Sequence, residues 1–282
     1  MHPIAQTLAA ALMALPLPTL AETYMIDSGG VALHVTDEGE GPAVILLHAF
    51  AGSSTLWSAA GLAPLAGLRT ITVDARGHGD SGRPTDPAAY GAEMANDVLR
   101  VMQARGVERA HIVGYSMGAE TALKFAADHP EKVLSLVVAG SGWSGEAEGE
   151  LYGYISDALG ASASFGDFMA AMAPEDSGSE EDAAAGYAML LGHGIAPEQA
   201  AAPLAAVAAA MPDLLGLTAE ELAAIPVPVL GLAGDADEEH DNVERLGDAL
   251  ADFTFVTIPG ADHLAAPLTP AFAEAVTGFL TR

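Results

Sequence analysis

The 282-residue chain has no cysteine, an absence that removes disulfide frameworks, thiolate metal sites and cysteine nucleophiles together. Positive charge is nearly as scarce. Ten lysines and arginines stand against 38 acids, for a formal net charge of −28, and neither base occurs between Lys132 and Arg245. That balance repels polyanions, so nucleic acid and anionic lipid surfaces are excluded as partners, and it fits a salty environment. No apolar run is long enough for a membrane span: Ile4 to Leu15 comes nearest, and Pro16 and Pro18 end it. H-E-x-x-H and P-loop patterns are also missing. The acidic run Asp235 to Asp241 has calcium-loop spacing, but His240 and Leu246 stand where such a loop needs glycine and glutamate. The expectation is therefore no metal and no organic cofactor.

What is present begins with a leader. The apolar stretch before Pro16, followed by the small residues of Thr19-Leu20-Ala21, reads as a signal peptide over residues 1–21, with Glu22 as the new start. A secreted or periplasmic protein without stable membrane insertion follows. The amino-terminal region carries no Lys or Arg, which keeps a cytoplasmic protein with an uncleaved tail as the alternative.

Beyond the leader, Tyr24 to Asp27 and Val31 to Val35 alternate around Ser28-Gly29-Gly30, the pattern of a hairpin. Ala43 to Leu47 and Thr70 to Val73 read as buried parallel strands. Met94, Val98, Val101 and Met102 repeat at helical spacing and mark a core-facing helix. Further strands are expected over Ala110 to Val113, Val133 to Ala139, Val227 to Ala233 and Phe253 to Ile258. Strands alternating with helices make a parallel sheet covered on both faces. Residues 142 to 224 break the rhythm with alanine-rich, helix-like pieces around Glu150 to Leu159, Asp182 to Leu191 and Pro197 to Met211.

Gly114-Tyr115-Ser116-Met117-Gly118 sits between a strand and a helical segment, Ala119 to Asp128. This is the context of a nucleophile elbow, where a sharp turn strains the serine backbone and demands small residues on either side. A serine hydroxyl needs a base to take its proton, and that base needs an acid to fix its tautomer. Candidates follow in the order Ser, Asp, His: Ser116, then Asp235 or Asp237 after one strand, then His263 after the next. Each lies just past a strand's carboxyl end, where parallel sheets place their sites.

Five motifs in this order resemble the α/β-hydrolase superfamily over about residues 30–140 and 225–282: His48-Ala49-Phe50, Asp74 to Ser81, the elbow, Gly234 to Asp237, and Pro259 to His263. The resemblance implies an α/β fold with a mostly parallel eight-stranded sheet flanked by helices. Its core would comprise residues 22–141 and 225–282, with residues 142–224 as an inserted helical cap. It implies Ser116 as nucleophile, His263 as general base and Asp237 as acid, with Asp235 as runner-up. The backbone N–H groups of Phe50 and Met117 would form the oxyanion hole, although His48-Ala49 replaces the usual His-Gly. His48 would order its own loop, and Asp74, Arg76 and His78 would hold a turn. Trp143, Tyr152, Tyr154, Phe165, Phe168, Met169, Met172, Tyr187, Met189 and Leu190 are candidates either for pocket lining or for packing the cap. The implied activity is hydrolysis of small to medium uncharged carboxylic esters through an acyl-enzyme. C–C bond hydrolysis, lactone opening and cofactor-free perhydrolysis use the same triad and remain alternatives, as does a non-catalytic ligand-binding homologue. Haloalkane dehalogenases and epoxide hydrolases, relatives with an aspartate nucleophile, are excluded by the serine.

Overall fold

The computed structural model of the chain describes residues 21–143, 146–172 and 197–282. Eight strands form one sheet: β1 (Glu22–Ser28), β2 (Val31–Glu38), β3 (Ala43–Leu47), β4 (Arg69–Val73), β5 (Ala110–Tyr115), β6 (Val133–Ala139), β7 (Val229–Gly234) and β8 (Phe253–Ile258). Their spatial order is β1-β2-β4-β3-β5-β6-β7-β8. The hairpin β1/β2 and the β2/β4 pair are antiparallel, and every other pair is parallel. Among the described residues the α-helices are α1 (Thr55–Ala59), α2 (Ala92–Ala104), α3 (Met117–Asp128), α4 (Glu146–Gly160), α5 (Phe165–Met172), α6 (Ala202–Ala210), α7 (Pro212–Leu215), α8 (Ala219–Ala223), α9 (His240–Glu244) and α10 (Pro270–Leu280).

Central strands such as β3, Ala-Val-Ile-Leu-Leu, are buried at every position because helices cover both faces. Successive side chains still point to opposite faces. Ile45, Ile112 and Leu136 pack with α2 and α3 on one side, while Val44, Val113 and Val137 pack with Trp57 of α1 and Phe272 of α10 on the other. The register aligns Leu47 with Val73 and Gly114, Ala139 with Leu232, and Gly234 with Ile258. The carboxyl ends of β3, β5, β7 and β8 therefore form one edge, and the loops carrying Phe50, Ser116, Asp237 and His263 leave from it.

Several boundaries differ from the sequence reading. β5 runs through Gly114 to Tyr115, and α3 starts at Met117 rather than Ala119, so the elbow is a single residue wide. The helix expected from Pro197 begins only at Ala202. Residues 197–200 instead lie against the start of α5: Phe165 and Gly166 donate to the carbonyls of Gln199 and Pro197, and Ser164 bridges Ala200. The expected helix over Asp182 to Leu191 and residues 1–20 of the expected leader lie outside the described residues. Between β6 and β7, Tyr152, Phe165, Phe168, Leu204 and Val207 pack together on Met94 and Met117 of the core. No helix among the described residues is long and apolar enough to cross a membrane.

Candidate active site

Ser116 occupies the one-residue turn between β5 and α3 with φ 54° and ψ −122°, a conformation that costs a non-glycine residue about 1–3 kcal/mol. The surroundings enforce it. A Cβ on Gly118 would stand 2.0 Å from the Leu47 carbonyl oxygen, and one on Gly114 would stand 2.2 Å from that of Gly118. Only glycine lets the elbow approach β3 this closely, and the turn thrusts the Ser116 hydroxyl out at the sheet edge.

The Ser116 hydroxyl meets His263 Nε2 at 3.1 Å, and His263 Nδ1 lies 3.0 and 3.2 Å from the two carboxylate oxygens of Asp237. With Nδ1 as donor to the carboxylate, Nε2 is the acceptor that faces the serine. The Asp237 side chain is fully buried, and Oδ1 also accepts the Glu239 N–H at 3.0 Å. Asp235 turns elsewhere: its Oδ1 accepts the Gly260 N–H at 2.8 Å and so ties the loop after β7 to the loop after β8. Burial disfavours the protonated form of His263, but the hydrogen bond to Asp237 and the charges of Asp237, Glu239 and Asp262 prevail, and its pKa is raised above the usual 6.5. Tyr115 fixes the histidine from behind by donating to its carbonyl oxygen at 2.5 Å. Burial raises the Tyr115 pKa and keeps the phenol a donor.

Met117 is the first residue of α3, so its N–H has no acceptor within the helix and directly follows the Ser116 turn. Phe50 lies in the loop after β3 and lines the same cavity. In this loop the left-handed residue is Ala51, at φ 57°, and not Ala49, so alanine in place of the usual glycine at 49 introduces no φ strain. Two imidazoles pin the loop. His78 Nε2 accepts the Ala51 N–H at 3.1 Å, and its Nδ1 faces the Arg76 carbonyl; burial and then the neighbouring His48 push its pKa down to about 3, so it stays neutral. His48 does the same between the Ala75 N–H and the Ala49 carbonyl, and burial lowers its pKa too. Asp74 holds the Ser54 and Asp80 N–H groups, while Arg76 leaves the turn to donate to Asp97 on α2 at 2.7 Å.

The triad opens into a cavity of about 520 Å³. Its apolar wall includes Phe50, Ala51, Leu56, Leu151, Tyr152, Ile155 and Pro267, and its charged lining is Glu120, Asp237, Glu238, Glu239, Asp262 and His263. Of the seven described residues among the ten apolar ones named from the sequence, only Tyr152 lines this cavity. Trp143 donates its indole N–H to the Leu217 carbonyl, Phe165 and Phe168 stack on each other, Met169 packs on their cluster, and Tyr154 and Met172 face solvent. Tyr187, Met189 and Leu190 lie outside the described residues. Leu151 and Ile155 escaped the sequence reading because α4 has weak apolar periodicity. Glu120 escaped it as well, though a lone carboxylate among the small residues of the first turn of α3 was a legible signal.

Residues 42–176 match the family model for the alpha/beta hydrolase fold. A fluoroacetate dehalogenase of a Burkholderia species is 38% identical over 123 residues, 42% of this chain and 40% of the relative. A 2-hydroxy-6-oxo-6-phenylhexa-2,4-dienoate hydrolase of Comamonas testosteroni is 37% identical over 123 residues, 42% of this chain and 43% of the relative. The matched stretch thus spans about two fifths of the curated relatives' own length. Among solved structures, a hydrolase from Pseudomonas aeruginosa superposes with a TM-score of 0.75 at 27% identity, covering 93% of this chain and 98% of that one. The chain belongs to the α/β-hydrolase superfamily. It shares their fold, and in this chain that fold brings Ser116, His263 and Asp237 to one sheet edge.

Proposed function

We propose that the protein is a serine hydrolase acting on carboxylic esters of small to medium uncharged compounds. The observation that carries this reading is the hydrogen-bonded chain Ser116–His263–Asp237 at the floor of a largely apolar cavity. His263 Nε2 takes the hydroxyl proton as Ser116 Oγ attacks the ester carbonyl carbon, and the carbonyl oxygen becomes an oxyanion held by the N–H groups of Phe50 and Met117. Asp237 stabilises the imidazolium. His263 then returns the proton to the departing alkoxide oxygen, leaving an acyl group on Ser116. Water repeats the sequence, giving its proton to His263 and its oxygen to the acyl carbon, and the acid leaves.

The electrostatics support an uncharged substrate. Five carboxylates and one imidazole form the charged lining among the described residues, with no Lys or Arg. Fluoroacetate and the dienoate named for the relatives are anions, which such a wall repels. The serine at the elbow likewise argues against the aspartate-nucleophile chemistry of dehalogenases.

Hydrolysis of p-nitrophenyl esters of graded acyl length tests the reading. Wild-type protein is expected to cleave the short neutral esters and to cleave the anionic hemisuccinate at least tenfold more slowly at low salt. Ser116→Ala is expected to lose about 10⁴-fold or more in kcat with its fold intact. A folded Ser116→Ala protein that keeps most of its activity overturns the mechanism.

A further inference from the structure

Tyr152 reaches both halves of the catalytic centre from the segment between β6 and β7. It sits on α4, is buried, and its hydroxyl donates to Glu120, 3.2 Å from Oε1 and 3.3 Å from Oε2. Ser141, just past β6, donates to the same Oε1 at 2.9 Å. Glu120 is four residues after Ser116, one turn into the helix whose first N–H belongs to Met117. The ring of Tyr152 meets Phe50 edge-on with centroids 6.4 Å apart, and Phe50 stands edge-on to His78 at 5.7 Å. His78 in turn holds the Ala51 N–H.

Two fixed points follow for α4. The first is polar: a carboxylate 3% exposed is costly unless hydrogen-bonded, so the Tyr152 hydroxyl is held firmly to the nucleophile helix. The second is a ring contact to the loop that carries the other oxyanion donor. Phe50 is thus held by ring contacts to both His78 and Tyr152. Its N–H needs such a clamp, because displacement of an oriented group by an ångström costs a large factor in rate.

We infer that Tyr152, anchored by Glu120, is a positioning residue for the oxyanion hole: it sets the Phe50 N–H relative to that of Met117 and makes the seating of α4 a condition for catalysis. This rests on the reading of those two N–H groups as the oxyanion donors. The pair acts in the transition state, where the oxyanion exists, and little in substrate binding.

The test is a double-mutant cycle read by kcat and KM on p-nitrophenyl butyrate and by the rate at which a fluorophosphonate labels Ser116. Tyr152→Phe removes the hydroxyl and keeps the ring. It is expected to lower kcat and the labelling rate about tenfold, a fraction of the roughly 10² to 10³ lost with a whole oxyanion donor, with KM within about twofold. Glu120→Gln keeps an acceptor oxygen and is expected to retain kcat within about threefold, whereas Glu120→Ala falls as far as Tyr152→Phe. The Glu120→Ala/Tyr152→Phe double variant should be no slower than either single one. Wild-type kcat and labelling in Tyr152→Phe, a loss confined to KM, or additive single effects would each overturn the inference. If Glu120→Ala fails to fold, the kcat against KM split of Tyr152→Phe decides. Wild-type protein that is labelled at Ser116 but cleaves no ester sinks the ester reading alone, and the labelling rates still test the clamp.

Discussion

Between Asp235 and Asp237 the chain turns by two residues, and the two carboxylates leave in unrelated directions, one to the Gly260 N–H and the other to His263. Asp237→Asn is expected to lower kcat by about 10⁴, because an amide cannot stabilise the imidazolium or hold its tautomer. Asp235→Asn should cost less than about tenfold, since the asparagine oxygen still accepts from Gly260. Esterase rates measured side by side check the ranking, and the reverse order would move the acid to Asp235. The raised pKa of His263 gives a second expectation. The base must be neutral, and a raised pKa keeps it protonated to higher pH, so kcat/KM should fall on acidification with a midpoint above 6.5. The residual activity of Asp237→Asn should show that midpoint lowered, because the main influences raising it are gone. Ser116, Asp237 and His263 were legible in the sequence because each is announced by a strand and a glycine turn. Tyr115, His78 and Tyr152 were not. Their partners lie 148, 27 and 32 residues away, and no periodicity links them.

Among elements, the strands were the most legible, since buried β-branched runs between turn residues have few other readings. Residues 197–201 were misread because alanine-rich sequence favours helix, while turns held by hydrogen bonds to the start of α5 and to the residues just before it satisfy their backbone instead. Two helix starts in that region did carry signals. Ser164 with Asp167 and Thr218 with Glu221 each exchange side-chain and backbone hydrogen bonds across three residues, the capping-box pattern. The elbow yields the prediction at this scale. Gly118→Ala must push a methyl group against the Leu47 carbonyl, so it should destabilise the fold by about 3 kcal/mol and also reduce the fluorophosphonate labelling rate. Denaturant melts of the two proteins check the first part, and unchanged stability would mean that β3 and α3 separate easily.

For the whole molecule, charge is the dominant property. Five of the ten bases, Arg69, Arg76, Arg100, Arg105 and Lys124, already have carboxylate partners, which leaves most of the 38 acids to face one another across the surface. Sodium chloride shortens the Debye length from about 30 Å at 0.01 M to about 3 Å at 1 M. The melting temperature should therefore rise over that range, most steeply at its low end, and a flat or falling curve would show the acids too widely spaced to interact. The same scale governs how the site comes into being. Ser116 and His263 are 147 residues apart and meet only when β8, the last strand to leave the chain, has docked beside β7. Contacts that span so much chain close late, because their loop entropy is recovered only after nearer pairings form. Helix and strand content should thus return early in refolding while turnover returns last, which makes catalytic activity a clock for the final docking step rather than for the collapse of the chain.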